Sequence, residues 1–171
     1  MMKLRIRSVR NISYINEKKG NVMKNIEMNI KKLNDDSVIP TKGSEYAAGM
    51  DLYSYIPEET LYIPVGATCK IGTGIAAEIP EGCFGAIFAR SGLATKRGLR
   101  PANCVGVVDS DYRGEIIVAL HNDSDKRQAI HNGERIAQMV IMPYVSVNIN
   151  SVKELSDTDR GTGGFGSTGI K

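Results

Sequence analysis

Cysteine and histidine are scarce in this sequence, three and two respectively in 171 residues. Cys69, Cys83 and Cys104 are odd in number, widely spaced and set in apolar, strand-like runs. That excludes a disulfide framework and reads as reduced core thiols in a reducing compartment. His121 and His131 have no Cys, Asp or His at metal-ligand spacing and read as surface or packing residues. No apolar run approaches the roughly 20 residues of a membrane span, and residues 1–20 lack the apolar centre of a secretory signal. The Gly-rich C-terminus lacks the Gly-Lys-Ser/Thr ending of a P-loop, which argues against a nucleotide-binding βαβ domain. Helical periodicity is almost absent.

Charge of one sign is also scarce, since the net charge is only +3. The average hides a division. Residues 1–33 hold nine Lys or Arg against Glu17 and Glu27, whereas the other 138 residues hold thirteen basic and seventeen acidic side chains. A mildly acidic body argues against nucleic acid as the main partner, because phosphate-backbone binding needs clustered Lys and Arg on the folded domain. Residues 1–28 read as a basic, poorly ordered extension, with Met23 and Met28 as alternative starts. Its Arg-rich, acid-free first ten residues resemble organelle-targeting composition, against which stand Glu17 and the few serines.

From residue 29 to 155 the sequence alternates short apolar runs with turn signals. The predicted strands are Asn29–Leu33, Met50–Tyr55, Leu61–Ile63, Thr68–Ile79, Cys83–Ala89, Cys104–Val108, Glu115–Asn122, Gln128–His131 and Arg135–Ile149. Many short strands with regular punctuation predict an all-β sandwich, jelly roll or small barrel. Only Ser91–Lys96 reads as a short helix, with Ser91 as its N-cap. The stretch Gly106 to Glu115, between two apolar runs, reads as a hairpin with carboxylates at its tip. Residues 156–171 hold five glycines and almost no apolar side chains, so they are expected to be a flexible C-terminal tail. Arg160 and Phe165 within it suggest a lid that orders on ligand.

Five segments stand out: Ala47-Ala48-Gly49-Met50-Asp51-Leu52-Tyr53, Ala89-Arg90-Ser91-Gly92-Leu93-Ala94, Gly106 to Glu115, Gly133-Glu134-Arg135-Ile136-Ala137-Gln138, and Arg160 to Gly169. Each is weak alone. Together they supply what a triphosphate requires without a large basic patch: Arg90, Ser91, Gly92, Gln138, Arg160, and the amides and hydroxyls of Gly166, Ser167 and Thr168. Arginine grips phosphate in a bidentate fork, and a serine at a helix start adds a hydroxyl and backbone amides.

In order and spacing these segments resemble the five motifs of the homotrimeric dUTP pyrophosphatase (dUTPase) family, over the chain from about Asn29 to Lys171. The resemblance implies a distorted jelly-roll-like β subunit, a homotrimer with sites at subunit interfaces, and Mg²⁺-dependent hydrolysis of dUTP to dUMP and pyrophosphate. That activity keeps uracil out of DNA and supplies dUMP for thymidylate synthesis. Carried over by residue, Asp109 orients and deprotonates the water that attacks the α-phosphorus. Tyr112 lies under the sugar and excludes a 2′-hydroxyl. The backbone around Gly106 and Val107, with Asn103, reads the uracil edge; Phe165 stacks on the base, and Arg160 grips the γ-phosphate. Asp51, Asp111 and Arg135 are supporting residues. Mg²⁺ is held through the phosphates and water, with no protein metal cluster. Met50 stands where an aromatic is expected and Ala89 where proline often precedes Arg-Ser-Gly, which touches only local packing.

Two other functions compete. The related dCTP deaminase needs a Glu ten residues after the hairpin Asp, and this chain has Ala119 there. A binding or regulatory module of the same fold is the other alternative; Asp109, Tyr112, Arg160 and Phe165 together argue against a purely structural role. The expectation is an intracellular enzyme, cytoplasmic or nuclear, that uses no membrane.

Overall fold

Proline and glycine cut the chain into strands too short to stand alone, so each must find a partner across the molecule. The computed structural model describes residues 26–164. Twelve strands and one helix occur among them: β1 Asn29–Lys32, β2 Thr41–Lys42, β3 Met50–Tyr53, β4 Thr60–Ile63, β5 Thr68–Gly72, β6 Ile75–Glu78, β7 Cys83–Phe88, α1 Ser91–Arg97, β8 Leu99–Pro101, β9 Gly106–Val108, β10 Ile117–Asn122, β11 Gln128–His131 and β12 Arg135–Pro143. Every pairing between these strands is antiparallel. The largest sheet runs β2-β3-β12-β7-β9; a second runs β5-β10-β8, and β1-β6 and β11-β4 are two-stranded ribbons. The result is the jelly-roll-like, nearly all-β fold expected, with a single short helix among the described residues. β10 shows the logic of its packing: Val118, Leu120 and Asn122 point inward and are buried, while their neighbours face out. Leu52, Ile63, Ile71, Ile130, Ile136 and Met139 from the other strands complete one core.

Several boundaries differ from those expected. The stretch around Asp109 is not a hairpin, because β9 pairs with β7 whereas β10 pairs with β5 and β8. The Ile116 amide donates to the Ile75 carbonyl, and the Ile116 carbonyl accepts from the Thr73 amide and hydroxyl. These bonds draw the chain into the second sheet before it can return along β9. The run Thr68–Ile79 is two strands, broken at Gly74, whose φ is +64°. β12 stops at Pro143, which brings no amide to continue a ladder. Beyond it Val145, Val147 and Ile149 keep their alternation yet are 86, 71 and 91% exposed.

The helix begins one residue earlier than the capping pattern suggests. Arg90 is the N-cap residue, extended at φ −82° and ψ 129° and without a side-chain cap, so Ser91 is the first helical residue. The thiols also divide: Cys83 is buried, Cys69 half-buried, and Cys104 exposed in a turn at φ +62°. The Cys104 amide donates to the Pro101 carbonyl, and that tight turn keeps its side chain out of the core. His121 has neighbours that its spacing did not advertise, Thr68 at 2.9 Å and Asp123 at 3.3 Å.

One buried polar side chain carries more of the fold than its size suggests. The Asn122 amide nitrogen donates to the carbonyls of Ile63, Pro64 and Lys126, and its oxygen accepts from the Ser124 amide and hydroxyl. Replacing Asn122 by Ala should therefore lower the unfolding free energy by about 2–4 kcal/mol. Urea denaturation at fixed protein concentration measures it; a loss under about 1 kcal/mol would mean that these carbonyls find other partners.

Candidate active site

A cleft lies at one end of the largest sheet, where β3, β12 and the start of α1 meet. It encloses about 470 Å³, lined by Gly43, Ala47, Ala48, Gly49, Asp51, Arg90, Ser91, Gly92, Arg135 and Gln138. Four sequence segments converge because β12 pairs with both β3 and β7, setting Gln138 opposite Asp51 on one side and Phe88 on the other. Asp51 is the hub. Its Oδ1 accepts from Arg90 Nε at 2.8 Å, and its Oδ2 accepts from Arg90 Nη2 at 3.5 Å and Arg135 Nη1 at 3.3 Å. With Asp51 14% and Arg90 27% exposed, the pair is partly desolvated, which strengthens the attraction and fixes the guanidinium direction.

Gln138 is held as firmly. Its Nε2 donates to the Ala89 carbonyl at 2.9 Å, and its side chain occupies the space beside Gly49. A Cβ at Gly49 would lie 2.6 Å from Gln138 Oε1, so a larger residue before Met50-Asp51 would displace the Gln138 amide. Further along α1, Arg97 pairs with Glu134 and donates to Gln128 Oε1 and the Ala129 carbonyl, tying the helix to the turn before β12. Sequence reasoning did not single out Gly43 or the Arg97–Glu134 pair. Gly43 carried only a turn signal, and a contact between residues 37 positions apart leaves no local trace.

A second group forms at β9 and the loop after it. Asn103 lies against Gly106, since a Cβ there would come 3.5 Å from its Nδ2. Gly106 pairs with Ile87, and Val107, exposed on this edge strand, pairs with Ala86. The Asp109 carboxylate is exposed, and its carbonyl accepts from the Tyr112 amide at 3.2 Å. Asp111 lines a separate cleft of about 580 Å³ with Ser110, Arg113 and Glu78, away from the guanidinium cleft.

The two groups do not close on each other within one chain. Gln138 is level with Phe88 on β7, whereas Val108 is opposite Gly85. Asp109 thus leaves the sheet at least three residues, roughly 10 Å, further along the strand. Arg160 belongs to neither group, as its Nε donates to the Gly163 carbonyl within its own turn. Phe165, Gly166, Ser167 and Thr168 lie outside the described residues. Among the described residues no three His, Cys, Asp or Glu are placed to hold a metal ion, and no helix is long and apolar enough to cross a membrane.

An antiparallel sandwich with a guanidinium-lined cleft at the end of its larger sheet defines a class of jelly-roll-like β proteins. Within that class the chain belongs to the dUTPase family, whose model, described as dUTPase, matches residues 35–169. It is 50% identical to the deoxyuridine 5'-triphosphate nucleotidohydrolase of Nautilia profundicola over 84% of this chain and 99% of that protein. To the protein of the same name from Hydrogenobaculum sp. it is 47% identical over 83% and 97%. The fold is similar to a mutant dUTPase of Staphylococcus bacteriophage 80alpha with dUpNHpp, at a TM-score of 0.76 and 27% identity over 84% and 99%. A mutant dUTPase from phage phi11 of S. aureus, solved for its coordination of a structural Mg(II) ion, has the same fold at a TM-score of 0.69 and 22% identity over 77% and 100%.

Proposed function

We propose that this protein is a dUTP diphosphatase, hydrolysing dUTP to dUMP and pyrophosphate at composite sites in a homotrimer. The observation that carries this reading is the cleft in which Asp51 aims Arg90 beside Ser91, Gly92 and Gln138. Fixed guanidinium, hydroxyl and amide donors suit a polyphosphate, and their prior arrangement lowers the cost of binding. Asp109, exposed at the end of β9, takes the proton of a water that attacks the α-phosphorus. The bond from that phosphorus to the bridging oxygen breaks, and pyrophosphate leaves. Gly106, Val107 and Asn103 present an edge-strand backbone and an amide for the uracil, and Tyr112 sets the sugar's floor. From the tail, Arg160 takes the γ-phosphate, Phe165 the base, and Gly166, Ser167 and Thr168 further phosphate oxygens. Asp111 and Arg135 support these groups.

Two features support the assembly. The guanidinium cleft and the Asp109 loop are separated in one chain, as expected if neighbouring subunits bring them together. The extended segment after Pro143 exposes Val145, Val147 and Ile149 in strand-like alternation, a surface that a second copy can cover. The domain division follows: a basic extension over 1–28, the β domain over 29–155 and a C-terminal lid over 156–171. Free Cys69, Cys83 and Cys104 accord with an intracellular location.

Mg²⁺ fits this site through the substrate. The cleft offers donors, and both oxygens of its one carboxylate, Asp51, are committed to arginines, so the phosphates and water would supply the ion's oxygen ligands. Bound there, it neutralises phosphate charge. Pyrophosphate release should be seen from dUTP and should be at least about a hundredfold slower from UTP, dTTP and dCTP. It should fall when EDTA removes Mg²⁺. Comparable turnover of all four nucleotides, or tight dUTP binding without any turnover, would refute the reading.

A further inference from the structure

Glu115 lies at the end of the Asp109 loop, outside both groups of site residues, and its contacts run in two directions. Its backbone carbonyl accepts the Tyr112 hydroxyl at 2.9 Å. Its side-chain Oε1 accepts the Gly74 amide at 2.7 Å. The carboxylate sits where a side chain at residue 72 would be, for a Cβ on Gly72 would come 2.5 Å from Oε1. Gly74 is itself buried and left-handed at φ +64°. Its amide faces inward, and Glu115 is its partner. One residue later Ile116 is bonded to Thr73 and Ile75. The turn between β5 and β6 thus forms a socket into which Glu115 and Ile116 plug.

The ring of Tyr112 has little freedom beyond this hold. Its amide is fixed by the Asp109 carbonyl, its hydroxyl by the Glu115 carbonyl, and its ring lies so close over Gly114 that a Cβ there would overlap the phenol. The residue nonetheless stays 45% exposed. A ring that could swing would yield to an extra hydroxyl, whereas one held at both ends resists it.

We infer that Glu115 is a positioning residue for sugar discrimination: by locking its carboxylate onto the Gly72–Gly74 turn, it fixes the carbonyl that pins Tyr112 against the 2′ position. This rests on the proposed hydrolysis of dUTP and adds a determinant of selectivity far from the base and the phosphates. It also explains why glycine stands at 72 and 114, where no positive φ requires it.

The test is the ratio of kcat/KM for dUTP to that for UTP in the full-length chain. Glu115→Ala, and separately Gly72→Ala, should lower that ratio by about tenfold or more, mainly through faster UTP turnover. Glu115→Gln keeps an oxygen acceptor for the Gly74 amide and should restore the wild-type ratio; a role limited to overall stability would not produce that pattern. Tyr112→Phe removes only the hydroxyl and should match Glu115→Ala. An unchanged ratio in folded Glu115→Ala overturns the inference. If that variant fails to fold, an unchanged ratio in Tyr112→Phe overturns it equally. Wild-type protein that hydrolyses neither nucleotide removes the proposed function and this inference together, whereas a selective wild type with unselective effects of these variants removes the inference alone.

Discussion

Asp109→Asn is expected to slow pyrophosphate release from dUTP by about a thousandfold or more while leaving dUTP affinity within a few-fold of wild type. The asymmetry follows from where Asp109 sits. Its side chain is exposed at the end of β9 and does not line the cleft of Asp51, Arg90 and Gln138. In the proposed site those cleft residues supply the phosphate contacts, so the binding energy is expected to survive. The substitution keeps the side chain's shape, and the bond that organises the loop, from the Tyr112 amide to the Asp109 carbonyl, is a backbone one. What asparagine cannot do is take a proton from water. Single-turnover rates beside calorimetric titration with a non-hydrolysable analogue separate the two quantities. A loss under about tenfold would move water activation to another group, with Asp111, two residues on, the first to examine.

A mixture of two inactive chains should regain activity. Arg90→Ala and Asp109→Asn homotrimers are each expected to be nearly dead. If every site takes Arg90 from one subunit and Asp109 from a neighbour, random assortment leaves about one site in four with both native residues. Unfolding the two variants together and refolding them should therefore give about a quarter of wild-type activity. Mixing without exchange should give almost none. A site built within a single chain predicts no recovery under any protocol, so the result bears directly on the separation of the cleft from the loop.

The sequence carried the site's membership better than its geometry. Asp51, Arg90, Ser91, Gly92, Arg135 and Gln138 come from three separate motifs, and the fold brings all six to one cleft. Strand existence was legible wherever alternation was clear, as in Gln128–His131, which the structure reproduces residue for residue. Pairing was not legible. The apolar runs on either side of Asp109 look alike, and only the bonds from Ile116 to Thr73 and Ile75, more than forty residues away, decide that the second run leaves for another sheet. Ser91 was read as a cap because serine so often is one. Here the preceding arginine takes the cap position with its side chain directed at Asp51, a long-range demand that no local propensity encodes. The alternation of Val145, Val147 and Ile149 is real, but within one chain it has no ladder to join, so β12 ends at Pro143.

Asp51 also bears on how the protein behaves in a cell full of competing anions. A free pair of arginines would be an indiscriminate trap for inorganic phosphate and for the pyrophosphate just released. By holding one carboxylate against Arg90 and Arg135, the cleft begins with half of its guanidinium charge neutralised, and a small anion gains less by entering because it must compete with a partner already in place. A ligand that reaches several donors at once can overcome that competition, and a fragment that has lost its nucleoside cannot. In the proposed function, the same ion pair that aims the guanidinium is therefore expected to favour quick departure of the inorganic product.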